Sequence, residues 1–434
     1  MKLFITVLLI LLTGFVKSQN AWQITTLDNM PMATSNNAVC EGFINGERFV
    51  YSFGGIDTSK MYSGIHRKSF RYNVSQNHWT EIDEVPDTLG KIASAASYVH
   101  GKIYVIGGYH VFNNGTELSS NKVHIYNPET EAWEADGAPI PYPIDDHVQT
   151  TYKDSLIFVV GGWSNTSNVP HVQVYNVFTN SWSQASQLPN DAFFKSFGAS
   201  GYMVDDTIFY AGGVSDNGGF VARKYMRKGV LQNGNPLDIV WTQMDDLQGD
   251  ALYRSACSGY QNTVFWIGGS GVAYNYNGMA YNGSGGVEPN NRIIHYQSSD
   301  QNLMELNTSL LNVMDMRGIA KLGGGNWVVA GGMDTAQVVS NKTYLLHNPN
   351  FSGILNGVQP PYFNVKQLEN HFEIETEFAG SVKVYDANGR LLYTNYKLLA
   401  DLLIEKSSLT QGFLLFLFDD GSNVPVTQKI ISIN

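Results

Sequence analysis

The chain has 434 residues, with 27 Lys and Arg against 38 Asp and Glu, giving a formal net charge of −11 at pH 7. Such an acidic chain lacks the basic face that nucleic acid requires, so nucleic acid is not an expected partner. Only two cysteines occur, Cys40 and Cys257, and no CxxC or closely spaced His pair offers a tight structural zinc site.

Residues 1–18 carry one Lys near the start, an apolar stretch from Leu3 to Val16, and small Ser18 ahead of Gln19. They read as a secretory signal peptide, too short and wrongly flanked to be a stable membrane span. No other segment is long and apolar enough to cross a bilayer, so the expected location is secreted or at the cell surface. About 415 residues then remain, enough for one large domain and one small one.

A Gly-Gly pair recurs at Gly54, Gly107, Gly161, Gly212, Gly268 and Gly331, at intervals of 53, 54, 51, 56 and 63 residues. Self-similarity at about 50 residues marks a radial propeller. Each pair follows a short apolar run that reads as a buried strand, with Tyr51, Tyr104, Phe158, Phe209, Phe265 or Val328 three positions ahead. Downstream, a Tyr precedes a large apolar residue by seven positions: Tyr72 and Trp79, Tyr126 and Trp133, Tyr175 and Trp182, Tyr296 and Leu303, Tyr344 and Phe351. In the fourth repeat an insertion delays the Trp after Tyr225 to Trp241.

The predicted fold is therefore all-β, a six-bladed propeller of four-stranded blades over residues 19–351. Trp22 matches the outer-strand Trp but precedes the first pair, so the N-terminal strand is expected to join the last blade and close the ring. Closure by Phe351 is the alternative. Cys40 and Cys257 fall on the innermost strands of blades one and five, which are not neighbours. A bridge needs Cα atoms within about 7 Å, so no disulfide is expected.

The segments YNVSQNHW, YNPETEAW and YNVFTNSW closely resemble the kelch signature. That resemblance is specific for fold and nearly silent on function, since propellers host catalysts and scaffolds alike.

Residues 352–362, SGILNGVQPPY, break the repeat and read as a linker. From 363 to 434 the apolar residues alternate as in strands, and Asn388-Gly389 is a hairpin turn signal between VKVYDA and RLLYT. A small β-sandwich follows. The order VKVYDANGRLLYT, SLTQGFLLFLFDDG, QKIISIN resembles the C-terminal sorting domain of type IX (Por) secretion of Bacteroidetes-type bacteria, with Phe413 where that family usually places Tyr. The resemblance implies the type IX machinery as a partner, with release or surface attachment.

Candidate chemistry lies near the channel. Fourteen positions before each glycine pair stand Cys40, Ala93, His147, Gly198, Arg254 and Arg317, where the chain reaches the inner strand. Arg is common there for structural reasons, which leaves His147 as the more chemical residue. Tyr210 replaces an aliphatic residue two positions before its pair, and a buried phenol there needs a hydrogen-bond partner. The third-repeat strand HVQVYN carries His171, and the fourth-repeat strand VARKYMRK carries Arg223 and Arg227 on the same side as Tyr225. The run AYNYNGMAYNGSGG, 273–286, reads as a rim loop offering sugar-stacking rings.

His147, His171, Tyr210 and Arg223 come from blades three and four and are expected to meet on one side of the mouth. The set suits β-elimination at a uronic acid: Arg neutralises the carboxylate, and Tyr or His moves the proton. The order His, His, Tyr, Arg resembles propeller polysaccharide lyases of the ulvan-lyase type. By that resemblance His147 and Tyr210 are the catalytic acid and base. His171 supports them, and Arg223 or Arg227 binds the carboxylate. Tyr253, Tyr260 and Tyr274 are candidates for a further tyrosine in blade five, and Arg254 and Arg317 for further substrate binding. No cofactor is required, and a structural metal is left open.

The competing reading is a non-catalytic glycan- or protein-binding propeller. A copper radical oxidase would need a Cys–Tyr crosslink, for which Cys40 and Cys257 offer no motif. A sugar mutarotase resembling the bacterial sialate epimerases, also kelch proteins, stays open.

Overall fold

The computed structural model describes residues 22–44, 47–216, 219–308, 311–351, 363–376, 380–398, 402–409, 412–419 and 426–432. The expected signal peptide and the 352–362 linker lie outside the described residues. Six antiparallel sheets, each built on a four-stranded meander, form the blades. Their innermost strands are Ala38–Ile44, Ile92–Val99, Val148–Tyr152, Phe197–Val204, Ala256–Tyr260 and Ala320–Gly323. The aromatic and β-branched residues of the strands pack between neighbouring sheets: Phe158, Val174 and Tyr210 from blades three and four share one cluster, and Phe209, Trp266 and Tyr296 from blades four and five share another.

The glycine pairs act between blades. The second glycine of each donates its N–H to a carbonyl in the loop that leads into the next blade: Gly55 to Lys91, Gly108 to Ile144, Gly162 to Ser196, Gly213 to Leu252, Gly269 to Val313 and Gly332 to Thr34. At Gly212, where φ is +72°, a Cβ would stand 2.1 Å from the Leu252 carbonyl oxygen. Only glycine combines that backbone conformation with that approach. The last of these bonds, at 2.9 Å, joins blade six to the start of blade one.

Closure is completed by the N-terminal strand. Gln23–Thr26 pairs antiparallel with Thr343–His347, from Gln23 opposite His347 to Thr26 opposite Tyr344. Trp22 packs edge-on to Phe265 and against Trp327, and its Nε1 donates to His295 Nε2 at 2.6 Å. Phe351 does not supply the closing strand. It lies on the same aromatic cluster, 5.9 Å from Trp22 and stacked on Phe265.

Beyond the linker, a three-stranded sheet (Phe363–Gln367, His371–Thr376, Leu402–Glu405) and a four-stranded sheet (Leu391–Leu398, Gly380–Asp386, Gly412–Asp419, Val426–Ser432) form the small sandwich. Phe372 and Ile374 from one sheet and Val384, Leu414 and Phe416 from the other share one buried core. The Asn388-Gly389 turn joins Gly380–Asp386 to Leu391–Leu398, with Gly389 at φ +78°.

Candidate functional site: a channel with two unlike ends

Each inner strand starts beside a glycine pair, and those of blades two to six end at a tight hairpin turn, so the channel has a loop end and a turn end. His100-Gly101, both at positive φ, is one of those turns.

The loop end is a closed belt. Asn36, Ala93, Asp146, Gly198, Arg254 and Asp315, one from each blade, all take left-handed φ between 46° and 66°. Their main chains bond round the axis: Asp146 N to Ala93 O at 3.1 Å, Gly198 N to Asp146 O and Arg254 N to Gly198 O at 2.8 Å, Asn36 N to Asp315 O at 3.1 Å. Across the belt Arg254 grips Asp146 with two N–H groups, at 3.1 and 2.5 Å, and Asp315 with a third at 2.9 Å. Ser35 and Asn36 also donate to Asp315. Burial works against the Arg254 charge, yet Asp146 and its other partners overcome it and raise the pKa well above the usual value.

Segment 270–290 crosses above this belt. Tyr276 packs on Ile56 and Ile92 of blades one and two, Tyr281 lies 5.4 Å from Phe220 of blade four, and Gln337 of blade six donates to Val287 O at 2.6 Å. A strap reaching those blades spans the axis and closes this mouth. Within the 273–286 run the rings differ: Tyr274 is fully buried, edge-on to Tyr253 and over Arg254, whereas Tyr281 keeps 39% exposure.

Toward the turn end the channel holds a cavity of about 140 Å³ lined by inner-strand residues of all six blades, among them Glu41, Tyr98, Gln149, Tyr202 and Lys321. Lys321 Nζ donates to the Tyr202 hydroxyl at 3.1 Å, and Glu41 Oε2 accepts the main-chain N–H of Lys321 at 2.8 Å. Gln149 Oε1 accepts from His147 Nε2 at 3.1 Å, and Gln149 Nε2 donates to Ser97 Oγ at 2.8 Å. Burial raises the Glu41 pKa. For Lys321 burial opposes the charge, but Tyr202 and the Glu41 charge together outweigh it and the pKa is raised. Cys40 and Cys257 are free and line this cavity, and burial pushes both thiols well above their usual range. Among the described residues no group of three or more His, Cys, Asp or Glu side chains is placed to hold a metal ion.

Of the ten candidate residues named from sequence, only His147 and Arg317 line the cavity. His147 is 1% exposed, and burial followed by the Arg317 charge lowers its pKa to about 3. Arg317 donates to the His147 carbonyl at 2.8 Å and lies 3.6 Å from Asp146. Tyr210 is sealed in the core between blades three and four, where its hydroxyl donates to Phe194 O at 3.1 Å. Arg227 is fully buried, 5.0 Å over the Tyr210 ring, and donates to the carbonyls of Phe193 and Gly212. Arg223 lies over Tyr225 at 5.8 Å. His171 stacks on Tyr142 at 3.6 Å. Tyr253 is wedged against Gly198, whose missing Cβ makes room for its ring. The expected meeting of His147 and Tyr210 in one solvent-reachable hollow is therefore corrected: His147 lines the channel cavity, whereas Tyr210 is sealed between blades three and four beside Arg227 and Tyr225, the ring that Arg223 also overlies.

The fourteen-residue register is corrected as well. It selects belt residues in blades two, four and five, whereas in blades one, three and six the belt residues are Asn36, Asp146 and Asp315, 18, 15 and 16 positions before their pairs. Glu41, Tyr202 and Lys321 were missed for the same reason, standing 13, 10 and 10 positions ahead. The available signal was a charged or phenolic residue inside an inner strand of otherwise small residues, such as Lys321 in GIAKLGGG.

Six sheets about a channel, tied by glycine pairs, define a kelch-type β-propeller. Residues 38–269, more than half of the chain, match the KLHDC2/KLHL20/DRC7 Kelch-repeats domain, and the chain belongs to that kelch-repeat family. Beta-scruin of Limulus polyphemus is 25% identical over 228 residues, 51% of this chain and 23% of that protein. N-acetylneuraminate epimerase 1 of Escherichia coli is 28% identical over 127 residues, 28% of this chain and 34% of that protein. The chain thus spans about a third or less of the length of these relatives. The solved structure of YjhT superimposes with a TM-score of 0.59 at 14% identity, covering 73% of this chain and 95% of that one, a likeness of fold.

Proposed function

We propose that this chain is a saccharide-directed kelch propeller, exported from the cell, whose turn-end cavity holds a single sugar ring. The observation that carries this reading is the cavity itself: about 140 Å³, walled by hydrogen-bonding side chains from several blades. A cavity of about 150 Å³ holds a benzene ring when apolar; a pyranose has about twice as many heavy atoms, so it would seat one edge among these polar side chains and extend toward the turn end. The similarity to an N-acetylneuraminate epimerase supports a sugar ligand. A polymer lyase acting through His147 and Tyr210 is disfavoured, because the Tyr210 hydroxyl is already engaged and shut away from solvent. Export rests on the signal-like residues 1–18 and on the sorting-domain resemblance of the C-terminal sandwich; a mature N-terminus at Gln19 in culture medium or on the cell surface would support it.

Titration calorimetry against a panel of monosaccharides and matching polysaccharides tests the site. Saturable binding of a single-ring sugar, lost in Tyr202→Ala, is expected. Binding of polymers alone, or binding indifferent to Tyr202, contradicts the reading.

A second reading, protein binding at the loop end, has its own observation: Met61, Tyr62, Val221, Met279 and Val338 are exposed by 42–57% on loops of that face. It requires a partner whose binding is lost on Met61→Asp and Val338→Asp and survives Tyr202→Ala.

A further inference from the structure

Three formally charged side chains line the cavity: Glu41, Arg317 and Lys321. Arg317 is answered by Asp146 at 3.6 Å and by the His147 carbonyl at 2.8 Å. Lys321 is not answered in kind. Among the described residues its ammonium has no carboxylate within salt-bridge distance, and its acceptor is the neutral Tyr202 hydroxyl, whose ring it also overlies at 5.5 Å. Glu41 is the neighbouring acid, but its Oε2 is turned to the Lys321 main-chain N–H. An ammonium has three N–H donors, and among the described residues one of the three has an acceptor, while the Glu41 charge acts on it from beyond salt-bridge distance. The wall therefore carries an ammonium with donors that the protein leaves open.

Resting on the channel reading above, the geometry points to an anionic ligand: we infer that the seat takes a polyhydroxylated carboxylate of single-ring size, whose carboxylate joins Tyr202 at Lys321 Nζ. Lys321 is then the residue that selects acid over neutral sugar. Tyr202 fits the arrangement, because its oxygen accepts from Lys321 and its own O–H is left to donate to the ligand. Since the strap and belt close the loop end, the ligand enters from the turn end.

Calorimetry with glucose, glucuronate and gluconate tests this on the full chain. Glucuronate is expected to bind at least tenfold more tightly than glucose. That ratio is expected to fall to near one in Lys321→Met and to persist in Lys321→Arg, with thermal melts showing both variants folded. Gluconate separates the frames: tighter binding of glucuronate assigns the ring form, tighter binding of gluconate the open hydroxy acid, and either supports the carboxylate. Equal affinity for glucose and glucuronate in the wild type, or an unchanged ratio in Lys321→Met, overturns the inference while leaving a sugar seat. Binding of none of the three overturns it together with the channel reading.

Discussion

At the loop end of the channel Arg254 is held between Asp146 and Asp315, inside a main-chain belt and under a strap. At the turn end Lys321 faces a cavity with a phenol beside it. The same inner strands supply both ends, yet at one the charges are locked in salt bridges and at the other an ammonium has no carboxylate within salt-bridge distance among the described residues. A buried Arg between two carboxylates is architecture, because removing it strands two anions. An ammonium with donors left unused beside a cavity is a place for something else.

The comparison can be broken first at Arg254. Arg254→Met leaves Asp146 and Asp315 without their shared partner, and a loss of about 3–5 kcal/mol is expected in denaturant or thermal unfolding. A well-folded variant with altered ligand binding would mean instead that the loop end is a site.

The pH limb comes next. The folded His147 pKa, about 3, lies below the ordinary value near 6.5, so the unfolded chain binds the proton first. Its contribution is fully present above pH 6.5 and is lost progressively as the pH falls toward 3. By pH 4.5 it should have cost on the order of 2–3 kcal/mol. His66 and His295, both lowered to about 4 chiefly by burial, act in the same direction. Unfolding free energy measured against pH should therefore fall less steeply in His147→Gln than in the wild type; parallel slopes would show that His147 is not held neutral by the fold.

Tyr210→Phe removes one hydrogen bond to Phe194 O, and about 1 kcal/mol is expected. Sugar binding should be untouched, and a variant that folds normally but loses all ligand response would restore Tyr210 to the site. The smallest effect on stability belongs to Lys321→Met. Removing it breaks one hydrogen bond to a phenol, and a loss of about 0.5 kcal/mol is expected. A large destabilisation would make Lys321 a strut like Arg254.

Much of the fold was legible because the glycine pairs carry a strict requirement, positive φ against a neighbouring carbonyl, that repeats in the chain as a visible spacing. Trp22 was readable as the closing residue for a similar reason: it repeats the outer-strand Trp outside its own frame. The Asn388-Gly389 turn was a local signal and needed nothing distant. The site was far less legible. Tyr210 and Arg227 look chemical in a sequence, but they face each other across 5.0 Å in a sealed core. Asp146 was passed over in favour of its neighbour His147, because the distance from belt to glycine pair changes from blade to blade and one fixed offset cannot follow it. Lys321 acquires meaning only once the ring closes and Tyr202, from two blades away, comes within 3.1 Å.

The most direct measurement is a crystal structure of the protein soaked in glucuronate. Density for the sugar inside the channel, with its carboxylate at Lys321 and its hydroxyls near Tyr202 and Gln149, is the expected result. An empty channel with the sugar seated on the strap of the loop end would contradict the account.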